Sequence, residues 1–290
     1  MDPLETRALT YFLTLAEELH FGRAAARLGI AQPSLSRSIR NLEAQLGVTL
    51  LERTSRRVRL TSAGEVLRDE GRRALEAMAA AAHRAQRAGR PDPGLTLVMK
   101  PGGDGGLLPA ILAAYESRPG TPPVNVIVCA IHERAPMLRD GRADVGLLHS
   151  PSPHCDLRGL DSEELLVERQ VVVVGARHRL AQRSSVRLAD LAGETLATHE
   201  PTAAGGAGVR DIGQLTQLIA LERAVTLAPE SVRGQLRPDL VCVPVLDAPL
   251  ISVLLAWPQQ HRSLAVAELI RTAVDVAEGH RAQPQTLSIP

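Results

Sequence analysis

Residues 23–47 read RAAARLGIAQPSLSRSIRNLEAQLG, and this stretch decides the fold of the N-terminal part. A short helix over Arg23–Leu28 ends at Gly29, a natural C-terminal stop. Pro33 suits the first turn of a new helix. Leu35, Ile39, Leu42 and Leu46 then form an apolar stripe at helical spacing, and Gly47 ends it. The opposite face carries Ser34, Arg37, Ser38, Arg40 and Asn41. A short helix, a tight glycine turn and a longer helix with a polar, basic face make a helix-turn-helix pattern. Upstream, Leu4, Ala8, Tyr11, Phe12, Leu15, Ala16 and Leu19 mark a further amphipathic helix. Downstream, residues 48–60 hold two short strand-like runs around Arg53, Thr54, Ser55, Arg56 and Arg57, which predicts a β-wing with a cationic tip.

Beyond the wing, Thr61 and Ser62 offer an N-cap hydroxyl, and Ser62 with Glu65 matches a capping box. The helix that follows runs to about residue 88. Leu67, Ala74, Ala81 and Ala88 recur every seven residues beside Leu75, Met78 and Ala85. Large apolar side chains are sparse after Met78, so this seam predicts a dimerising linker helix. Gly89-Arg90-Pro91-Asp92-Pro93-Gly94 is a linker. The remaining chain alternates strand and helix patterns. Strands are expected at 95–99, 124–129, 145–149, 171–175, 195–199, 224–227, 240–245 and 251–257. Helices are expected near 106–117, 133–140, 212–222 and 262–278. The alternation argues for parallel sheets with ligands at the carboxyl ends of strands.

Composition narrows the functions. The chain has 290 residues, 44% hydrophobic and 22% charged, which suits two or three folded domains. No apolar run approaches the ~18 residues of a membrane span, and Asp2, Glu5, Glu17 and Glu18 do not fit a secretory signal. Three scattered cysteines argue for a reducing, cytoplasmic setting and against a disulfide framework or zinc finger. The formal charge is +1, but residues 1–90 hold 15 Arg against 10 acidic residues. Residues 91–290 hold 18 basic against 22 acidic residues. A basic segment on a near-neutral chain is the footprint of phosphate contact. Aromatics are 2%, too few for base-stacking recognition of single strands. No GxSxG, HExxH, Walker A or full dinucleotide fingerprint is present, so no enzyme activity, cofactor or metal site is expected.

Residues 4–65 resemble the N-terminal domain of LysR-type transcriptional regulators. The resemblance rests on the ungapped run from Ala24 to Glu43, on Leu46–Thr54 and on Arg59–Glu65. Weaker resemblance continues through Asp140–Leu148 and Val186–Leu191. The family implies a winged helix-turn-helix, a long linker helix and a two-lobed effector domain like periplasmic binding proteins. The expected fold class is thus α plus α/β. The expected domains are 1–60 for DNA binding, 61–90 for the linker and 91–290 for the effector. The expected function is sequence-specific DNA-binding regulation controlled by a small-molecule effector between the lobes. Double-stranded promoter DNA and a homodimer or homotetramer partner are expected, with RNA polymerase a further candidate and no membrane.

Gln32 suits adenine, and Arg37 suits guanine or phosphate, in a major groove. Pro33, Ser34, Ser36 and Arg40 lie along the same face, and Arg53, Thr54, Arg56 and Arg57 form the wing. For the effector, Lys100, Gly102, Gly103 and Asp104 precede a helix, where backbone N–H groups favour anions. Asp104 in that turn can cap the helix and repel an anion, which argues against a small carboxylate. Cys129, Ala130, Ile131, His149, His199 and Thr202 follow later strands and complete the expected cleft. The Gly/Ala-rich residues 201–210 suggest a shortened second lobe. Two alternatives remain open: redox control through Cys129 and Cys155, and a regulator without effector sensing.

Overall fold

The structure is a computed structural model that describes residues 4–53, 58–89, 94–197, 209 and 211–282. The chain divides into two compact units, Met1–Ala85 and Gln86–Pro290. In the first, α1 (Thr6–Glu18), α2 (Phe21–Leu28) and α3 (Gln32–Leu46) precede a hairpin of β1 (Leu51–Arg53) and β2 (Val58–Leu60). The hairpin pairs Leu51 with Leu60 in antiparallel register, as the wing pattern predicts. The helix α4 (Ser62–Ala88) follows.

The apolar stripes close one core. Leu9, Phe12 and Leu15 of α1 meet Ala24 and Ala25 of α2 and Leu35, Ile39 and Leu42 of α3. Burying such side chains contributes about 1.5–3 kcal/mol each, so this core carries the unit. Leu50 and Leu51 join it, and Glu43 Oε1 accepts the Leu50 and Leu51 amides at 2.9 and 3.2 Å. The carboxylate thus anchors the wing to the back of α3. The cap of α4 differs from the expected capping box. Thr61 Oγ1, not Ser62, accepts the Gly64 amide at 3.0 Å and donates to the Thr49 carbonyl at 2.7 Å. The hairpin delivers Thr61 to Thr49, a contact that local spacing does not reveal.

In the second unit, β3 (Leu95–Met99), α5 (Leu108–Glu116), β4 (Val124–Val128), α6 (Arg134–Arg139), β5 (Val145–Ser150) and β6 (Leu160–Glu168) build most of a first lobe. The second lobe holds β7 (Gln170–Gly175), α7 (Ile212–Ala220), β8 (Thr226–Pro229) and β9 (Leu240–Pro244). The chain then returns through β10 (Ile251–Pro258) and α8 (Leu264–Ala282). The first sheet has the order β4-β3-β5-β10-β6. Its β3 pairs in parallel with β4 and β5, while β10 runs antiparallel to β5 and β6. Helices α5 and α8 cover one face through Ile111, Tyr115, Leu269 and Ala273. Helix α6 covers the other through Ala135 and Leu138.

Three expectations need correction. Residues 160–168 form a nine-residue strand where none is expected. The stretch LDSEELLVE is acidic, but it lies at the sheet edge, where Glu163 and Glu164 stay exposed. The second sheet, β8-β7-β9, is antiparallel rather than parallel. Parallel pairing in this lobe is limited to the bridges Val186–Val245 and Leu196–Val225 among the described residues. The strand expected at 195–199 is reduced to that Leu196 bridge, and residues 198–199 lie outside the described residues.

Among the described residues, two passages of chain join the lobes, at Arg169 and over 245–250. They are tied together, because Gln170 Nε2 donates to the Pro249 carbonyl at 2.8 Å.

Gly64 offers a test of the wing attachment. A Cβ there would lie 2.1 Å from the Leu50 carbonyl oxygen. Gly64→Ala should therefore destabilise the first unit by about 1–3 kcal/mol, the usual range for overpacking. Hydrogen exchange should speed up in α1 and α3 and stay unchanged in β3 and β5.

Candidate DNA-binding face and effector cleft

On α3, burial of Leu35, Ile39 and Leu42 turns the other side outward. Gln32, Pro33, Ser34, Arg37 and Arg40 are exposed, and Ser36 is half-buried. The helix N-cap, Ala31, makes no side-chain cap, and the first turn holds no acidic residue. Its amides and the positive end of its dipole are therefore compatible with a phosphate. The charges around it are unevenly satisfied. Arg27 meets Glu17 and Glu18 at 2.9 and 3.2 Å, Arg23 meets Glu18 at 3.1 Å, and Arg72 meets Glu17 at 3.1 Å. Arg37 has no salt bridge among the described residues. Arg40 Nε donates to the Ser36 carbonyl of its own helix at 3.3 Å. Of the expected wing residues, Thr54, Arg56 and Arg57 lie outside the described residues, as does the side chain of Arg53. Sequence reading passed over Arg59, which β2 leaves exposed beside this region.

In the second unit, the carboxyl ends of β3 and β5 deliver Lys100 and His149 to one place. A Cβ on Gly103 would lie 2.6 Å from Lys100 Cγ and 3.0 Å from His149 Cε1, so the glycine turn sits directly on both side chains. Behind them lies Arg134 of α6, which sequence reading missed. It is 0% exposed. Its Nη1 donates to the Leu147 carbonyl and to His149 Nδ1, the latter at 3.2 Å, and its Nε donates to the Ile131 carbonyl at 3.3 Å. No sequence signal marks it: it is buried together with Ala135, Met137 and Leu138 of the same short helix.

The electrostatics follow from burial. Desolvation lowers Arg134 to about 10. It also lowers Lys100 to about 8, helped by the charge of Arg134 and opposed by Glu168 and Asp104. His149, 4% exposed and facing both cations, is lowered to about 2. It is therefore neutral near neutral pH. Arginine can only donate, so Nδ1 is the acceptor and the proton sits on Nε2.

The second lobe closes over this place. Glu168, raised by burial, accepts the Ser231 amide at 3.2 Å and the Ser231 hydroxyl at 3.1 Å. Asp104 Oδ1 accepts from Gln235 Nε2 at 3.5 Å. Asp104 does not cap the following helix, whose N-cap is Leu107. Hence the expected competition between a capping carboxylate and an anion does not arise. Lys100, Gly102, Gly103, Asp104 and His149 are brought together, and Ile131 joins through Arg134. Ala130 gives its amide to Glu133 Oε2 at 2.9 Å. Cys129 packs instead against the apolar cluster under α6, as does Cys155. His199 and Thr202 lie outside the described residues. Glu168, Ser231 and Gln235 were also missed, because only the return of the chain brings them near Asp104.

The buried imidazole makes a pH prediction. In the unfolded chain His149 takes up a proton near its ordinary 6.5, but in the fold it does so only at about 2. The unfolded state therefore binds more protons between those values, and stability falls as pH drops through the window. Melting of the second unit should be less acid-sensitive in His149→Gln than in the unmodified protein from about pH 7 to about pH 5.

Comparison with known proteins agrees with this geometry. Residues 6–65 match the family described as "Bacterial regulatory helix-turn-helix protein, lysR family". Residues 88–278 match "LysR substrate binding domain". The chain is 30% identical over 289 residues to the Hca operon transcriptional activator HcaR of Escherichia coli, covering 92% of this chain and 96% of HcaR. It is 35% identical over 196 residues to the regulator AlsR of Bacillus subtilis, covering 67% of this chain and 64% of AlsR. Among solved structures, full-length BenM aligns with a TM-score of 0.52 at 26% identity, covering 98% of this chain and 100% of BenM. Among the described residues, no helix is long and apolar enough to cross a membrane. Two family matches that together span most of the chain, and near full-length similarity to HcaR, place it: the protein belongs to the LysR family of bacterial helix-turn-helix transcriptional regulators.

Proposed function

We propose that α3 reads operator DNA through Gln32, Ser34, Ser36, Arg37 and Arg40, with the residues 53–57 of the wing on the flanking backbone. One observation carries this reading. Arg23 and Arg27 of α2 and Arg72 of α4 pair with Glu17 and Glu18, whereas Arg37 is exposed and without a salt bridge among the described residues. A helix face that offers unpaired guanidinium beside hydroxyls and an amide can bind both phosphate and base edges. Full-length CbnR, solved with its target DNA, aligns with a TM-score of 0.50 at 25% identity, which supports the same placement.

The remaining parts of the proposal draw support from the family. The seam of α4 joins two copies, with residues 1–60, 61–90 and 91–290 as the binding, linking and sensing domains. The protein works in the cytoplasm, on DNA, without a catalytic step, and an effector in the second unit sets its activity. Redox control is less well supported. Burial raises the thiols of Cys129, Cys155 and Cys242, which leaves little reactive thiolate at neutral pH.

The test is binding of the full chain to the DNA upstream of its own gene against scrambled DNA at fixed salt. Arg37→Ala should weaken binding to the preferred site by about 1–3 kcal/mol and scrambled DNA by much less, as expected for a lost base contact. Equal losses on both would make Arg37 a phosphate contact only. Equal binding of the unmodified protein to both DNAs would count against a site upstream of its own gene.

A further inference from the structure

The charges of the second unit are sorted into two patches of opposite sign, one on each lobe. Residues 170–189 hold Arg177, Arg179, Arg183 and Arg187 and no Asp or Glu. Residues 161–168 hold Asp161, Glu163, Glu164 and Glu168 and no Arg or Lys.

The basic patch is a pinned loop that leads out of β7. Leu180, 0% exposed, plugs it into the second-lobe core beside Val172 and Val174. The His178 and Arg183 amides close turns on the Gly175 and Leu180 carbonyls, both at 3.0 Å. His178 Nδ1 accepts the Leu180 amide at 3.3 Å, so its Nε2–H points to Glu194 Oε2, 3.2 Å away. Glu194 also takes Arg179 at 2.7 Å. That pairing leaves the neighbouring arginines uncancelled. Arg177 and Arg183 are exposed, and their side chains enter no hydrogen bond or salt bridge among the described residues. The loop ends where Val186 bridges Val245, beyond β9 at the edge of the second sheet.

The acidic patch lies on β6, the edge strand of the first sheet. Asp161, Glu163 and Glu164 are exposed there. Glu164 accepts the Ser252 hydroxyl at 2.6 Å, while the carboxylates of Asp161 and Glu163 have no partner among the described residues. Charge on an edge strand guards it against stray pairing, and that alone would account for the acids. It does not account for the apolar surface beside both patches. Val167 of β6 is 44% exposed. Leu188 and Leu246, at the end of the basic loop, are 39% and 62% exposed, and the Leu246 amide donates to the Val186 carbonyl at 2.9 Å.

We propose that the second units of two copies dock on one another, the arginine loop 177–187 of each lying against the β6 edge of the other. Charge complementarity names the occupant. Each chain offers unpaired guanidinium on one lobe and unpaired carboxylate on the other, so a second copy supplies what both patches lack. One two-fold axis then makes two identical contacts, as closed symmetry requires. Val167, Leu188 and Leu246 provide the apolar part that exposed charge pairs need around them, since such pairs are individually weak and screened by salt. This contact is separate from the seam of α4 and adds a second junction between copies.

Sedimentation velocity of the full-length protein tests this at about 0.05 M and about 0.5 M salt, where screening lengths differ about threefold. The largest assembly formed at low salt should dissociate at high salt. Arg177→Glu with Arg183→Glu should weaken that assembly by about tenfold or more, because like charges then face each other. Asp161→Arg with Glu163→Arg should do the same. All four side chains are exposed, so both variants should melt as the unmodified protein does. An equimolar mixture of the two variants should restore the assembly, since both reciprocal contacts again join opposite charges. A structural role for either patch would give no such rescue. Assembly of the unmodified protein that ignores salt, reversal variants that assemble normally, or a mixture that stays dissociated would each overturn the proposal. So would an arginine variant that assembles normally but loses affinity for DNA, which would assign the loop to phosphate instead.

Discussion

A guanidinium sealed inside the first lobe, with no carboxylate partner among the described residues, organises the second unit of this protein. Arg134 reaches the carbonyls of Ile131 and Leu147 and the ring of His149, so it joins the loop after β4, the strand β5 and its own helix α6. A charge placed there has to be satisfied by dipoles, and two backbone carbonyls and the His149 ring supply them. The arrangement sets the tautomer of His149, depresses Lys100 and leaves donors facing the glycine turn. An apolar residue in its place would fill the space at less desolvation cost.

In the DNA-binding unit the same question of partners has the opposite answer. Glu17 and Glu18 gather Arg23, Arg27 and Arg72, and Glu43 turns inward to hold the amides of Leu50 and Leu51. Acidic groups are thereby drawn to the back and side of the helix-turn-helix. The outward side of α3 keeps its positive charge. The net charge of the segment matters less than where its carboxylates are tied down, because exposed pairs are worth little to stability yet cancel the local field.

Much of the fold was legible. The helices of the first unit and the strand Leu95–Met99 follow directly from apolar spacing. Residues 160–168 were not, because an edge strand with exposed glutamates shows no apolar alternation strong enough to mark it. The antiparallel second sheet was also hidden: strand and helix alternation predicts parallel pairing only when the chain stays in one sheet, and here it crosses between two. Of the cleft, Lys100, Asp104 and His149 were visible as polar groups at strand ends. Arg134 looked like an ordinary surface cation on a short helix.

By itself, the sequence determined the helix-turn-helix, the basic outward side of α3 and the family, because these depend on local periodicity and on residues close together in the chain. The tertiary structure decided which charges are cancelled and which are left over. Glu17 meets Arg72 across 55 positions, and Arg134 meets His149 across 15, so neither outcome follows from local spacing. Charge pairing and burial are properties of three-dimensional neighbours, and through them the tertiary structure gathered Lys100, Arg134 and His149, scattered in the sequence, into one polar cluster.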